Sequence, residues 1–285
     1  IDCAWGGTPI EPYVPATAFK GHPTLVKLAA LAKAGDFEAI KKMPGGTFVR
    51  SPAWLAGAIY NGRIAPVAPY GICGAIWYQA ESNCGRGEDP RDYRHKQRAL
   101  VQGWRQAWNN ENLPFFYVQL PQWRGYAWTY AREEQLRAME VDGTGMAVTI
   151  DLDNGNDIHP PNKIDVGERL ARWPLAKLYG KKIPFSGPLF RDVKIRDAEV
   201  VVRFDYAKEG LMVGRIEGVG KIVEAKDGVL NGFELVGEDG VWQPAKAKVK
   251  GQIVLVKSLQ VKRPVAVRYA CHPEAPKDRP WNLYN

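Results

Sequence analysis

Apolar positions in the first 180 residues follow two periods, one typical of strands and one typical of helices. Three short runs rich in β-branched and aromatic residues predict strands: Gly71–Tyr78, Pro114–Leu120 and Gly145–Leu152. Between the first two, apolar side chains recur at the helical spacing from Pro90 to Trp108, with Asp89 as a candidate N-cap. Strand, helix and strand in succession predict a parallel sheet covered by helices, and therefore an α/β fold.

Further helices are predicted where apolar residues keep the helical period and capping residues mark the ends. They are Gly21–Met43 with a break at Gly35 and a new cap at Asp36, Tyr130–Val141, and a helix that follows Asn162 and ends at Gly180. Pro174 lies inside the last of them and is expected to kink or split it.

After Tyr179 the pattern changes to short alternating runs between Gly, Asp and Lys turns, which is typical of an antiparallel sandwich. We expect a boundary within Lys181–Pro188, so that residues 1–180 form one domain and residues 181–285 an accessory β domain. The predicted strands are Val193–Ile195, Glu199–Phe204, Val229–Leu235, Lys246–Lys250, Gln252–Lys257 and Pro264–Tyr269.

Composition narrows the class of protein. The 285 residues are 45% hydrophobic, enough for a large core and two domains, and no apolar run reaches the roughly 18 residues of a membrane span. The net charge is +8, but the Lys and Arg residues are scattered among 31 acidic residues and form no basic arm. This pattern argues against nucleic-acid binding. Such a surface can steer acidic sugars towards the protein, or it can serve solubility alone.

Four cysteines, Cys3, Cys73, Cys84 and Cys271, form no C-x-x-C pair, which argues against a zinc site. Cys73 lies in an apolar run and is expected to be a buried thiol. A Cys73–Cys84 or a Cys3–Cys271 disulfide is possible, and the sequence does not decide.

Among the histidines, His159 stands where α/β sheets bind ligands, just beyond a predicted strand and before a helix. Asp157, two residues earlier, could hold the imidazole in one tautomer, as the acid of a catalytic triad does. Alternatively, this is a polar loop whose acidic residues cap the helix. The remaining histidines are interpreted as surface or packing residues: His22, His95 and His272.

Two more polar segments could stabilise a developing negative charge. In W-Y-Q-A-E-S-N (Trp77–Asn83), Gln79 can present an amide N–H to an oxyanion and Glu81 can fix the loop. Alternatively, Gln79 only satisfies buried backbone groups. In W-G-G-T-P, Gly6 and Gly7 allow backbone N–H groups to approach a ligand closely.

Taken together and in this order, W-G-G-T-P, W-Y-Q-x-E-S-N and D-I-H-P-x-N-K-x-x-V-G-x-R-L make the sequence similar to the bacterial sialate O-acetylesterase family of SGNH hydrolases. The similarity extends over nearly the whole chain. It includes Asn61–Gly62 with Ala65–Pro66, Pro114–Leu120, Val267–Ala270 and Asn282–Asn285.

The resemblance implies a three-layer α/β/α domain that hydrolyses acetyl esters on sugars without metal or organic cofactor, in a secreted, periplasmic or lysosomal setting. It also implies roles for individual residues. His159 would be the general base with Asp157 as its orienting acid, Gly7 (or Gly6) and Gln79 the oxyanion hole, and Glu81 and Asn83 the support of that loop.

This sequence departs from the family in two places. Ala80 replaces the usual Gly after the Gln, and Asn156 stands three residues before the His, where the SGNH acid usually lies. Naming Asp157 as the acid is therefore a hypothesis.

The family's nucleophile belongs to a G-Q-S-N block upstream of the W-G-G-T turn, where this chain begins. None of the serines present, Ser51, Ser82, Ser186 and Ser258, lies in a G-Q-S, G-D-S or G-x-S-x-G setting. We expect the nucleophile on an N-terminal fragment of the same precursor that stays bound, with an incomplete chain as the alternative. The rival function is a catalytically dead carbohydrate-binding protein in which Trp123 and Trp128 stack on sugars.

Overall fold

The computed structural model of the 285-residue chain describes residues 1–20, 22–43, 51–85, 88–123, 125–152, 157–226, 228–271 and 281–285. By compactness these residues divide into two units. Unit 1 comprises residues 1–120 and 127–146, and unit 2 comprises residues 121–126 and 147–285. This division groups the last helix with the C-terminal strands, so the division at residues 180 and 181 stays a prediction.

A three-stranded sheet has the order β1 (Ala75–Trp77), β2 (Phe115–Val118), β3 (Thr144–Ala147). Strands β1 and β2 are parallel, with Ala75 opposite Phe115. The strands are shorter than the three predicted runs; β1 and β2 lie inside theirs, and β3 begins one residue before its run, at Thr144. All four residues of β2 are buried, as expected for a parallel strand covered on both faces. The predicted α/β class is confirmed.

Several helix ends lie at predicted capping residues, but the helix predicted from Tyr130 begins at Tyr126, and the helix predicted to end at Gly180 ends at Lys177. Gly35 ends the first helix with a left-handed φ of 69°, and Asp36 begins the next by accepting a hydrogen bond from the Ala39 N–H at 2.9 Å. Asp89 accepts from the Arg91 N–H. The helices are α1 (Pro23–Ala34), α2 (Phe37–Lys41), α3 (Tyr93–Ala107), α4 (Tyr126–Arg137) and α5 (Lys163–Lys177). Shorter helical turns are Glu11–Tyr13, Ala16–Phe19, Pro52–Trp54, Tyr60–Ile64, Ala65–Val67, Glu81–Asn83, Pro90–Asp92 and Ala138–Glu140.

Pro174 does not split α5, because the helix continues past it to Lys177. A proline removes one intrahelical donor, and here it stands in the last turn, where few hydrogen bonds remain to be lost. Its carbonyl oxygen accepts from the Leu178 and Tyr179 N–H groups, which closes the C-terminus.

Helix α3 packs closely on the N-terminal segment of unit 1. The Trp104 ring meets Trp77 and Phe115 edge-on, and its Nε1–H donates to the Tyr13 carbonyl at 3.0 Å. At Gly103 a side chain would collide with Pro15. These contacts join the C-terminal half of α3 to residues 13–15.

Among the described residues, unit 2 contains three antiparallel sheets, with the orders β10-β11-β5-β4, β12-β8-β9 and β13-β6-β7. Their strands are β4 (Leu189–Arg196), β5 (Glu199–Asp205), β6 (Met212–Ile216), β7 (Ile222–Glu224), β8 (Phe233–Val236), β9 (Trp242–Pro244), β10 (Lys246–Lys250), β11 (Ile253–Lys257), β12 (Ala266–Tyr269) and β13 (Leu283–Tyr284). Val200, Val202, Leu235, Val254 and Val256 form the centre of the core. The predicted antiparallel character is confirmed, whereas β6, β7, β9 and β13 were not predicted.

All four cysteines are free thiols, so neither candidate disulfide forms. The prediction that Cys73 is buried is wrong, because it lies before β1 rather than within it and is exposed. Within the described ranges, no helix is both long enough and apolar enough to cross a membrane.

Candidate active site

The Gly6–Gly7 turn presents unused backbone donors at the surface of unit 1. Gly7 has a φ of 76°, a left-handed conformation that favours glycine, and both residues are exposed. In the described part of the chain, neither N–H has a hydrogen-bond acceptor, while the Gly7 carbonyl accepts from Ser82 Oγ at 2.8 Å. The turn is thus held through its carbonyl and leaves its N–H groups available to a ligand.

The Gln79 side chain lies behind this turn, buried and fully hydrogen-bonded. Its Nε2 donates to Asn83 Oδ1 at 2.8 Å and to the Thr8 carbonyl at 3.2 Å, and its Oε1 accepts from the Tyr93 hydroxyl at 2.9 Å. To reach an oxyanion, the amide would have to exchange the longer bond, the one to Thr8. Burial raises the pKa of Tyr93 well above its ordinary value, so the hydroxyl remains a donor.

Asn83 connects the Gln79 loop to a buried ion cluster. Its Oδ1 also accepts from the Ile10 N–H at 3.0 Å, and its Nδ2 donates to the carboxylates of Glu11 and Glu88. Lys96 Nζ binds both carboxylates, at 2.6 Å in the case of Glu11. Burial by itself would raise the pKa of Glu11, but the charge and hydrogen bond of Lys96 hold that pKa below its ordinary value.

Glu81 and Ser82 act on the backbone of the same loop. Glu81 Oε2 accepts from the Ala80 N–H at 2.9 Å. Ser82 is buried and donates its hydroxyl to Gly7, an arrangement typical of a structural serine rather than of an exposed nucleophile. The residues predicted in unit 1, namely Gly6, Gly7, Gln79, Glu81 and Asn83, therefore belong to one hydrogen-bonded region.

His159 and Asp157 form an exposed pair in unit 2. His159 Nδ1 lies 3.0 Å from Asp157 Oδ1, and the same oxygen accepts from the His159 backbone N–H at 2.8 Å. The second bond is that of an Asx-turn, which needs no catalytic role. Both bonds, the backbone one foremost, lower the pKa of Asp157. Nδ1 is thereby occupied and Nε2 is left to act as a base.

A buried cluster that was not predicted flanks the segment of His159 along the chain. Asp151 receives two hydrogen bonds from Arg169 at 2.6 and 2.8 Å and one from the Tyr284 hydroxyl at 2.8 Å. Arg169 also donates to the Val148 carbonyl. Burial, followed by Asp151, raises the pKa of Tyr284. Arg169 and Tyr284 both lie in motifs that carry the family resemblance. Their place in those motifs was the sequence signal from which the two residues could have been named.

Several predicted residues take no part in these clusters. Trp128 is buried, which removes it as a surface for stacking on sugars. His22 stands at the N-cap position of α1 without a side-chain capping bond, and its ring lies beside that of His95, 5.3 Å between centroids. Asn156 and His272 lie outside the described residues. In the portion of the chain that is described, no group of three or more His, Cys, Asp or Glu side chains is arranged to hold a metal.

Comparisons with known proteins show which proteins this chain resembles. A family of carbohydrate esterases, described as sialic acid-specific acetylesterases, matches residues 40–175. The sialate O-acetylesterase of Rattus norvegicus is 27% identical over 245 residues, which cover 73% of this chain and 45% of the relative. The Homo sapiens sialate O-acetylesterase is 26% identical over 236 residues, covering 73% and 41%.

The chain thus spans a little under half the length of these curated relatives. Among solved structures, a carbohydrate acetylesterase from Xanthomonas citri is similar with a TM-score of 0.78 and 30% identity, over 99% of this chain and 56% of that one.

Proposed function

The chain belongs to the sialate O-acetylesterase family, and from that premise we propose that it forms part of a serine esterase that removes O-acetyl groups from sugars. The observation that carries the proposal is the His159–Asp157 pair, in which a carboxylate occupies Nδ1 and leaves Nε2 as the base. Sialic acids are the favoured substrate class, since a chain of charge +8 attracts acidic sugars.

In the proposed reaction, a serine hydroxyl attacks the acetyl carbonyl carbon while His159 Nε2 takes the hydroxyl proton. The new Ser Oγ–C bond places negative charge on the carbonyl oxygen. When this intermediate collapses, the bond to the sugar oxygen breaks and His159 returns the proton to that oxygen. Water then attacks the acetyl-enzyme by the same route and releases acetate. No step so written requires a metal or an organic cofactor.

The oxyanion would be stabilised from unit 1. The unused N–H of Gly7, or that of Gly6, would donate to it directly, with Gln79 Nε2 as the second donor. Gln79 would give up its 3.2 Å bond to the Thr8 carbonyl, because an anionic oxygen accepts more strongly than a neutral carbonyl. Glu81 and Asn83 would hold the loop while this exchange takes place.

The nucleophile in this proposal is a serine outside these 285 residues, on an N-terminal segment of the same precursor that remains associated. Two observations support it: Ser82 donates to Gly7 inside the protein, and the curated relatives are about twice as long as the matched region. We further propose that residues 1–180, completed by this segment, form a three-layer α/β/α domain, with residues 181–285 as an accessory β domain. A secreted, periplasmic or lysosomal protein fits the family.

The proposal is tested by intact-mass analysis of native material under denaturing conditions, combined with turnover of p-nitrophenyl acetate. We expect either a second peptide or a mass greater than 31.8 kDa, and turnover that a serine-directed inhibitor abolishes. A single mass equal to that of this chain, with sugar binding but no acetate release, would contradict the esterase and favour the carbohydrate-binding rival.

A further inference from the structure

We propose that Glu11, Glu88 and Lys96 are positioning residues that determine which end of the Gln79 amide faces the Gly6–Gly7 turn. The inference rests on the proposed function, because it concerns the second donor of the oxyanion hole. None of the three would touch the substrate. They would act through Asn83, which joins their cluster to Gln79.

The first step is the orientation of Asn83. An ionised carboxylate only accepts hydrogen bonds, so the end of an asparagine amide that faces two carboxylates must be the NH₂ end. Nδ2 lies 3.2 Å from both oxygens of Glu11 and 3.1 Å from Glu88 Oε1, which gives each of its two hydrogens an acceptor. Oδ1 is consequently turned towards Gln79 and the Ile10 N–H.

The second step transfers this orientation to Gln79. Because Asn83 presents an acceptor, Gln79 must meet it with Nε2 rather than with Oε1. The other hydrogen of Nε2 is thereby directed at the Thr8 carbonyl, next to the exposed N–H groups of the turn. A flipped amide would present Oε1 there, and a carbonyl oxygen beside an oxyanion repels it.

Lys96 keeps the Glu11 carboxylate ionised. A protonated carboxyl group could donate to Asn83 and would allow the reverse arrangement. Lys96 Nζ lies 2.6 Å from Glu11 and also contacts Glu88, with both side chains of each pair 10% exposed or less. This attraction offsets the desolvation of Glu11 and leaves its pKa below the ordinary value.

Packing alone does not account for three buried charges. Apolar residues of similar volume often serve stability as well as a buried ion pair, or better. The cluster also holds a net negative charge, since two carboxylates share one ammonium group. The cluster costs desolvation energy, and through Asn83 it reaches the Gln79 amide of the proposed site. Orienting that amide explains the cluster better than a contribution to stability does.

The test is the neutral, nearly isosteric triple variant Glu11→Gln/Lys96→Met/Glu88→Gln in the full-length protein. We expect it to fold, with KM unchanged and kcat lowered by about 10- to 100-fold, approaching the loss of one oxyanion donor. Glu38→Gln, which removes an exposed carboxylate paired with Lys41, is the control and should leave kcat unchanged. A folded triple variant with full kcat would overturn the inference.

A second comparison covers the case in which the triple variant does not fold. Glu11→Gln preserves volume and loses the obligatory acceptor, whereas Glu11→Asp loses volume and preserves it. If the charge orients Asn83, the Asp variant retains more kcat than the Gln variant. If Glu11 only fills space, the order is reversed, and that order would reject the positioning role.

A readout independent of turnover separates this inference from the proposed function. In full-length protein with ¹⁵N-labelled glutamine, the side-chain NH₂ of Gln79 is assigned by its loss in Gln79→Ala. We expect one slowly exchanging pair in the wild type, and faster exchange or a second set of signals in Glu11→Gln. Unchanged exchange would overturn the inference even in an active esterase. Altered exchange in a protein without esterase activity would support the orientation and reject the function.

Discussion

Two groups of residues with proposed catalytic roles, one in each unit, are held in place by different physical means. The side-chain polar atoms of Gln79 and Asn83 all have partners within a buried network. The side chains of His159 and Asp157, in contrast, are 71% and 64% exposed. An exposed pair contributes little to stability, and a buried network permits little movement. The comparison indicates that Gln79 is fixed in advance by its partners, while His159, the proposed base, is held by one local turn.

The largest effect is expected from removing the base. His159→Ala should lower kcat by about 10⁴- to 10⁶-fold without unfolding the protein, because the proposed reaction passes its proton through this exposed side chain. His95→Gln serves as the control, since His95 belongs to a different cluster. The measurement is the turnover of acetyl esters by both variants, and their Tm values show whether they are folded. Substantial activity in His159→Ala would assign the base to another residue.

The next effect tests what anchors the region around His159. Arg169→Ala leaves Asp151, whose side chain is 6% exposed, without its principal ion partner, which should cost about 3–5 kcal/mol in the free energy of unfolding. Arg172→Ala, on the same helix, breaks an exposed pair with Glu168 and should cost about 1 kcal/mol or less. Chemical denaturation of both variants gives the comparison. Equal losses would mean that the Asp151–Arg169 pair contributes no more to the free energy of unfolding than an exposed surface pair does.

A somewhat smaller effect is expected in the buried network around Gln79. Gln79→Ala should lower kcat by about 10²- to 10³-fold, the scale of one oxyanion donor. It should also lower Tm, because Asn83 Oδ1 and the Thr8 carbonyl lose a donor. A lower Tm with unchanged kcat would confine Gln79 to a structural role, and the Gly6–Gly7 turn would then supply the oxyanion hole alone.

Local chemistry explains what could be predicted from the sequence. Asp36, Asp89 and Asn162 cap helices through hydrogen bonds to residues two or three positions ahead, so the signal lies within a few letters. Strands β7 and β9 have only three residues each, too few to establish a period of two.

The ion cluster and the Asp151 cluster lie beyond such local reasoning. Glu11 and Lys96, or Asp151 and Tyr284, come together only because packed elements bring distant segments into contact. A buried lysine also contradicts the usual preference of that residue for the surface, so composition argues against finding it there. The polar residues of the candidate site could be named from motifs, but the groups that orient them could not.

The smallest expected effect concerns how much of the lowered pKa of Asp157 depends on the His159 ring. The pKa of Asp157 lies below its ordinary value, first through the His159 backbone N–H and then through the ring. The ionised Asp157 carboxylate therefore contributes to stability above its unfolded pKa of about 4. This contribution is lost as pH falls through the lower folded pKa. In His159→Ala the backbone donor remains, so a ¹³C titration should show the pKa rising only part of the way. A complete return to the ordinary value would mean that the ring, rather than the Asx-turn, holds the carboxylate.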